Sequence, residues 1–179
     1  MKTHTELPFL ASIIMQRLPI NNPWQAYQWK LLEIIPDMPG TSVRCLMDGE
    51  GEQRWLFPGF STQLFADEAP GYFLNISSPV PCWFVMWRLE DVNGAEIAVP
   101  KSLSLSDNEA ARQMDGGEQV ETVPLSDDIA RWLAEYTQEH FQPEEKRPRK
   151  RPSFEGGEAV DKMARAETDP LLREHKHGR

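Results

Sequence analysis

The chain has 179 residues, of which 40% are hydrophobic and six are tryptophan. That is enough apolar surface for one domain of ordinary size plus an appendage, and too much for a wholly disordered protein. Its formal net charge of -9 is unevenly spread: residues 1–143 carry 9 Lys/Arg against 20 Asp/Glu, and residues 144–179 carry 10 against 8. An acidic body repels phosphate backbones, which argues against nucleic-acid binding by the folded part, although an acidic surface also serves solubility alone.

The opening stretch has one Lys and a short apolar run, without a small-residue cleavage site. The run from Leu7 to Met15 is too short to span a bilayer, so the expectation is a cytoplasmic protein without membrane insertion. From Phe9 to Gln16 the residues alternate as in a first strand, and Asn21-Asn22-Pro23 breaks it, giving a turn over Pro19 to Pro23. Trp24 to Ile35 reads as a second strand with Tyr27, Trp29 and Leu31 on one side, ended by Pro36 to Gly40. Val43 to Met47 and Gln53 to Phe57 flank Asp48-Gly49-Glu50-Gly51-Glu52, an acidic, Gly-containing linker that reads as a hairpin tip.

Phe60 to Ala66 is predicted as a further strand, Asp67 to Gly71 as a loop and Tyr72 to Ile76 as a short strand before the turn Ser77 to Pro81. Cys82 to Glu90 is the most strand-like run. Trp83, Val85, Trp87 and Leu89 share one face and Phe84 and Met86 the other, which places it at the centre of a sheet. Asn93-Gly94 makes a favoured hairpin turn into Glu96 to Val99. Ser106 and Glu109 have capping-box spacing for a short helix over Glu109 to Met114, stopped by Gly116-Gly117. Val120 to Leu125 is the last strand. Ser126 caps a second helix whose apolar stripe is Ile129, Trp132, Leu133 and Tyr136, a pattern that ordinarily means core packing, and which ends by Pro143.

From Glu144 only one aromatic, Phe154, remains in 36 residues, and Lys, Arg, Glu, Pro and Gly dominate. Such a segment cannot bury enough surface to offset the entropy of ordering it, so residues 144–179 are predicted to be a disordered tail behind a β-rich domain at 1–143. The fold expected is mainly β (α+β): an antiparallel sheet closed as a small barrel or folded as a sandwich, with a short helix and a C-terminal helix.

Few residues form a pattern that carries chemistry. The four histidines, His4, His140, His175 and His177, match no zinc spacing with the two cysteines, and there is no nucleophile elbow or phosphate-binding loop. Cys45 and Cys82 are too few for a disulfide framework; both read as buried small hydrophobes, with a pairing between them left open. Arg88 has Glu90 and Asp91 at hand as ion-pair partners. No catalytic residue, metal ligand or cofactor is assigned. The one functional-looking patch is the tail run Lys146, Arg147, Arg149, Lys150 and Arg151, whose charge suits weak, salt-dependent contact with nucleic acid or an anionic surface. It lacks interleaved aromatics for base stacking, and a solvated tail would look the same.

Three stretches together carry a resemblance. They are Pro23-Trp24-Gln25-Ala26-Tyr27-Gln28-Trp29, Gly71-Tyr72-Phe73-Leu74-Asn75-Ile76-Ser77-Ser78 running on to Arg88, and Asn108-Glu109-Ala110-Ala111 leading to Val120-Glu121-Thr122-Val123-Pro124-Leu125. Over roughly residues 8–151 the chain resembles a bacterial family of unknown function whose genes often neighbour molybdenum formate dehydrogenase genes. The resemblance implies no catalytic residues. It suggests, by association, an accessory protein that assists maturation or assembly of that enzyme, with a formate dehydrogenase subunit or a maturation factor as partner. Surface tryptophans would serve such an interface, and burial of all six would remove that argument. The other readings kept open are a nucleic-acid-associated protein acting through its tail, and a small-molecule binder with a Trp-lined pocket and a lone arginine such as Arg88.

Overall fold

The computed structural model describes residues 8–143. Seven strands and three helices follow one another as β1 (Phe9–Asn22), β2 (Gln25–Pro36), β3 (Arg44–Gly49), β4 (Glu52–Thr62), α1 (Ala69–Ile76), β5 (Cys82–Val92), β6 (Ala95–Ser104), α2 (Asp107–Asp115), β7 (Gln119–Pro124) and α3 (Asp127–His140). The strands form two antiparallel sheets, ordered β2-β1-β4-β3 and β6-β5-β7. The expectation of a β-rich α+β chain is met. A closed barrel is not, because each sheet ends in two unpaired edges among the described residues.

Alternation explains how the sheets meet. Ile13 and Met15 of β1, Trp29 and Leu31 of β2 and Phe57 of β4 point to one face. Val85 and Trp87 of β5 and Ala98 of β6 close on them, and Ile97 of β6 belongs to the same core. Several of these are wholly buried, at about 1.5–3 kcal/mol for each large apolar side chain, so this layer is a main source of stability for the described part. Trp83, on the same face of β5, belongs to a second core with Leu64, Tyr72, Leu105, Leu133 and Tyr136, where α1 and α3 pack. β5 is the middle strand of its sheet, as its apolar faces require.

The β5–β6 turn is the expected one: Asn93 and Gly94 both have positive φ, 55° and 83°, as a two-residue primed turn demands. The β1–β2 turn is tighter than predicted. β1 runs on through Pro19 to Asn22, and only Pro23 and Trp24 turn, with the Trp24 amide donating to Asn22 Oδ1 at 2.9 Å. Pro19 is tolerated because the β4 ladder stops at Arg17↔Gln53, leaving β1 with a free side at that point. The acidic hairpin likewise turns on Glu50 and Gly51 alone.

Four expectations are corrected. Phe60 to Ala66 is not a separate strand: Phe60 to Thr62 ends β4, and a 3-10 turn follows at Ala66–Glu68. Tyr72 to Ile76 is not a strand but most of α1. Its apolar run hides its period, and the buried Ala69, Tyr72 and Asn75 fall three apart, one helical face. Pro70 sits in the first turn, where its missing amide is no loss. Cys45 is not buried. It lies exposed on the edge strand β3, over which neither core extends, while Cys82 is half-buried, and both thiols are free. Arg88 pairs with neither Glu90 nor Asp91 but with Glu118, which lies before β7, the strand beside β5.

Candidate functional site

Three places in the described residues gather polar groups or open space. The first is a polar cluster between α1, α2 and the end of β6. Ser106 caps α2 by accepting from the Glu109 amide at 3.1 Å and donates its hydroxyl to Glu68 at 2.6 Å. Glu68 also pairs with Arg112 at 2.6 Å, and the hydrogen bond from Ser106 holds its carboxyl below the usual range. Glu109 does not close the capping box on a backbone amide. It accepts from Ser104 Oγ at 2.6 Å, and Ser104 Oγ in turn accepts from the Ser106 amide, so the box closes through an intervening hydroxyl. A serine beside a carboxylate invites a nucleophile reading. Ser106 has no exposed surface and its oxygen already serves two partners, so it acts as a cap.

The second is a cleft of about 530 Å³ where β1 and β2 of one sheet face β5, β7 and the start of α3. Its floor is Phe9, Ile34, Trp83, Val123, Leu125 and Ile129, with Phe9 stacked on Trp83 at 5.5 Å between centroids. Glu33 and Asp128 stand on its lining as carboxylates. The cleft lies where β2 and β7, both edge strands, come together without a ladder. Glu121 of β7 accepts from the backbone amide of Leu31 in β2 at 2.6 Å.

The third is a recess of about 290 Å³ lined by Arg17, Gln25, Ala26, Tyr27, Trp29, Leu89, Ala95 and Glu96. The Arg17 guanidinium lies 4.3 Å from the Tyr27 ring centroid and 6.0 Å from that of Trp29. Its Nε is buried and has no hydrogen-bond partner among the described residues. A pocket with a lone arginine such as Arg88 is the feature that would favour a small-molecule binder; Arg88 is exposed and ion-paired, and it is Arg17 that lines a recess. The sequence carries a signal for this: Arg17 continues the Ile13, Met15 alternation, so a cation stands at the end of a buried face.

The predicted tail residues Lys146, Arg147, Arg149, Lys150 and Arg151 lie outside the described residues, as does the whole predicted tail. His140 is stacked on Tyr136 at 4.0 Å, its Nδ1 2.9 Å from the Tyr136 carbonyl. No group of three or more His, Cys, Asp or Glu that could hold a metal ion occurs among the described residues, and no described helix is long and apolar enough to cross a membrane. Of the six tryptophans, Trp29, Trp83 and Trp87 are buried, and Trp24 at the β1–β2 tip is 94% exposed, so the interface argument survives on Trp24.

These features define a two-sheet, helix-flanked protein with an open apolar cleft and a separate arginine recess. Residues 11–151 match a family described as a protein of unknown function, DUF3305, and the chain belongs to that family. No curated protein and no solved structure matches the chain.

Proposed function

We propose that this protein is a non-enzymatic accessory protein that holds a segment of a client polypeptide in the cleft between β2, β7 and α3. The observation that carries the reading is the cleft's make-up: about 530 Å³ over a largely apolar lining, with Glu33 and Asp128 among the lining residues. Residues 1–143 are strongly acidic as well. The occupant this favours is a segment with apolar anchors flanked by Lys or Arg, because complementary charge steers encounter and fixes register. The proposed client is a subunit or maturation factor of a molybdenum-dependent formate dehydrogenase, on the strength of the gene association that the sequence resemblance brings. The site of action is proposed to be the cytoplasm.

Affinity capture from the native host, read by mass spectrometry, tests this with three baits: the full chain, Ile129→Arg, and a chain ending at Pro143. Ile129 is half-buried on α3, lines the cleft and also packs against the second core, so an arginine there sets bulk and charge against the client, and the bait is used once a thermal melt shows that it is folded. Recovery of a formate dehydrogenase subunit or maturation factor by the full chain, lost with Ile129→Arg, supports the reading. Loss on truncation alone moves the contact to residues 144–179. Recovery of RNA and ribosomes, released by salt, replaces it with nucleic-acid association through the basic run.

A further inference from the structure

We infer that the Arg17 recess is a binding site for a small carboxylate, either a free acid or the C-terminal carboxylate of a peptide. Three observations converge. The Arg17 side chain makes no hydrogen bond or ion pair among the described residues, and its Nε is shut off from solvent without an acceptor. The terminal guanidinium nitrogens are not closed off in this way and have no acceptor among the described residues either, so they are the donors that a ligand can reach. The guanidinium carbon lies over the Tyr27 ring, 4.3 Å from its centroid, and 6.0 Å from that of Trp29. A cation held over a ring gains from the π-system without using its N–H donors, which stay available to a planar, two-oxygen partner. Finally, the recess beside it, about 290 Å³, lies at the small end of ligand sites, with Ala26 and Ala95 contributing little bulk to its walls.

Charge selects the ligand class. Glu96 lines the same recess, faces Asp91 across the β5–β6 ladder, and forms no ion pair with Arg17. One cation beside one carboxylate, on an acidic body, favours a monoanion over a dianion such as phosphate. This site is separate from the cleft and does not rest on the client reading.

Arginine Nε–H signals of the full, ¹⁵N-labelled chain read the site directly. The probes are acetate, acetyl-glycyl-glycine with a free C-terminus, its C-terminal amide, and inorganic phosphate, each against sodium chloride at matched ionic strength. Saturable movement of the Arg17 Nε–H signal with acetate or the free-acid peptide, and none with the amide, is expected. Acetate binding at least as tightly as the peptide assigns a free acid; a tighter peptide assigns a chain terminus. Arg17→Gln should weaken binding about 10- to 100-fold. Ala95→Leu, which fills the recess without touching the arginine, should do the same while the Arg17 signal persists, so loss of binding is separable from loss of fold. Glu96→Gln should tighten it. Shifts no larger than those of chloride, tighter binding of phosphate than of acetate, or binding undiminished in both Ala95→Leu and a folded Arg17→Gln would overturn the assignment.

Discussion

The Glu121 carboxylate accepts a 2.6 Å hydrogen bond from the Leu31 backbone amide, tying the outer strand of one sheet to the outer strand of the other. Edge strands carry rows of unpaired amides and invite mispairing. Here one acidic side chain satisfies an edge amide where β2 and β7 form no ladder, and the cleft lies between the same two strands.

Removing the tie should cost stability. Glu121→Ala leaves the Leu31 amide without its acceptor, next to the shared core, and a loss of about 1–3 kcal/mol is expected. Glu121→Gln keeps an acceptor oxygen and should lose less. Urea denaturation of both variants checks this; equal losses would show that charge, not the hydrogen bond, matters at this position.

Gly71 is where α1 comes against the start of α2. A β-carbon there would lie 2.2 Å from Ser106 Oγ and 3.2 Å from the Asn108 backbone nitrogen. Gly71→Ala should therefore destabilise by about 1–3 kcal/mol despite the better helix propensity of alanine. Ser106→Ala removes the cap but also the nearest clashing atom, so the double variant should lose less than the two single losses added together. Strict additivity in a double-mutant cycle would refute the close approach.

Two groups set opposite pH limits. The Glu68 carboxyl is held below its ordinary value of 4.5 by the Ser106 hydroxyl, with Arg112 adding to it against the effect of burial. Its contribution is present above that value and fades as pH falls through the lowered one, and Glu68→Gln should flatten the acid limb. Burial raises the Tyr72 phenol from 10.0 to about 12. The folded state thus prefers the neutral phenol, and its contribution is present below pH 10 and lost as pH rises toward 12. Tyr72→Phe should flatten the alkaline limb, at the expense of the oxygen that accepts from the Phe65 amide at 3.2 Å. Thermal melts from pH 3 to 11 read both limbs.

The two thiols should differ in reactivity. Cys45 is exposed on β3, whereas Cys82 is half-buried and burial raises its thiol. The thiolate is the reactive form, so iodoacetamide at neutral pH should label Cys45 well before Cys82. Peptide mapping after short exposure measures the order; prior labelling of Cys82 would contradict the placement of β3.

Local chemistry was legible where a few adjacent residues decide the outcome. Asn93-Gly94 must turn, Ser106 must cap, and the alternation of Cys82 to Glu90 must place a strand between neighbours; all three stand in the structure. Tyr72 to Ile76 could not be read this way, since five adjacent residues that are nearly all apolar have no period, and only docking of Ala69 and Tyr72 into the second core makes them helical. Cys45 failed for a related reason: an apolar context predicts burial only if something covers the strand, and neither core extends over β3.

The sequence by itself determined the β-rich class, the hairpins, the α2 cap and the acidity of the body, because each depends on backbone preferences or charge within a few residues. Tertiary structure alone decided that the sheets stay open and that a cleft forms between them. The hydrogen bond at its side joins Leu31 to Glu121, 90 residues apart, and no local pattern marks either as a partner of the other. It also decided that the pocket arginine is Arg17 and not Arg88. Both stand on strands, but Arg88 meets Glu118 at the surface, whereas Arg17 continues an inner face and lies over the Tyr27 ring that β2 brings to it.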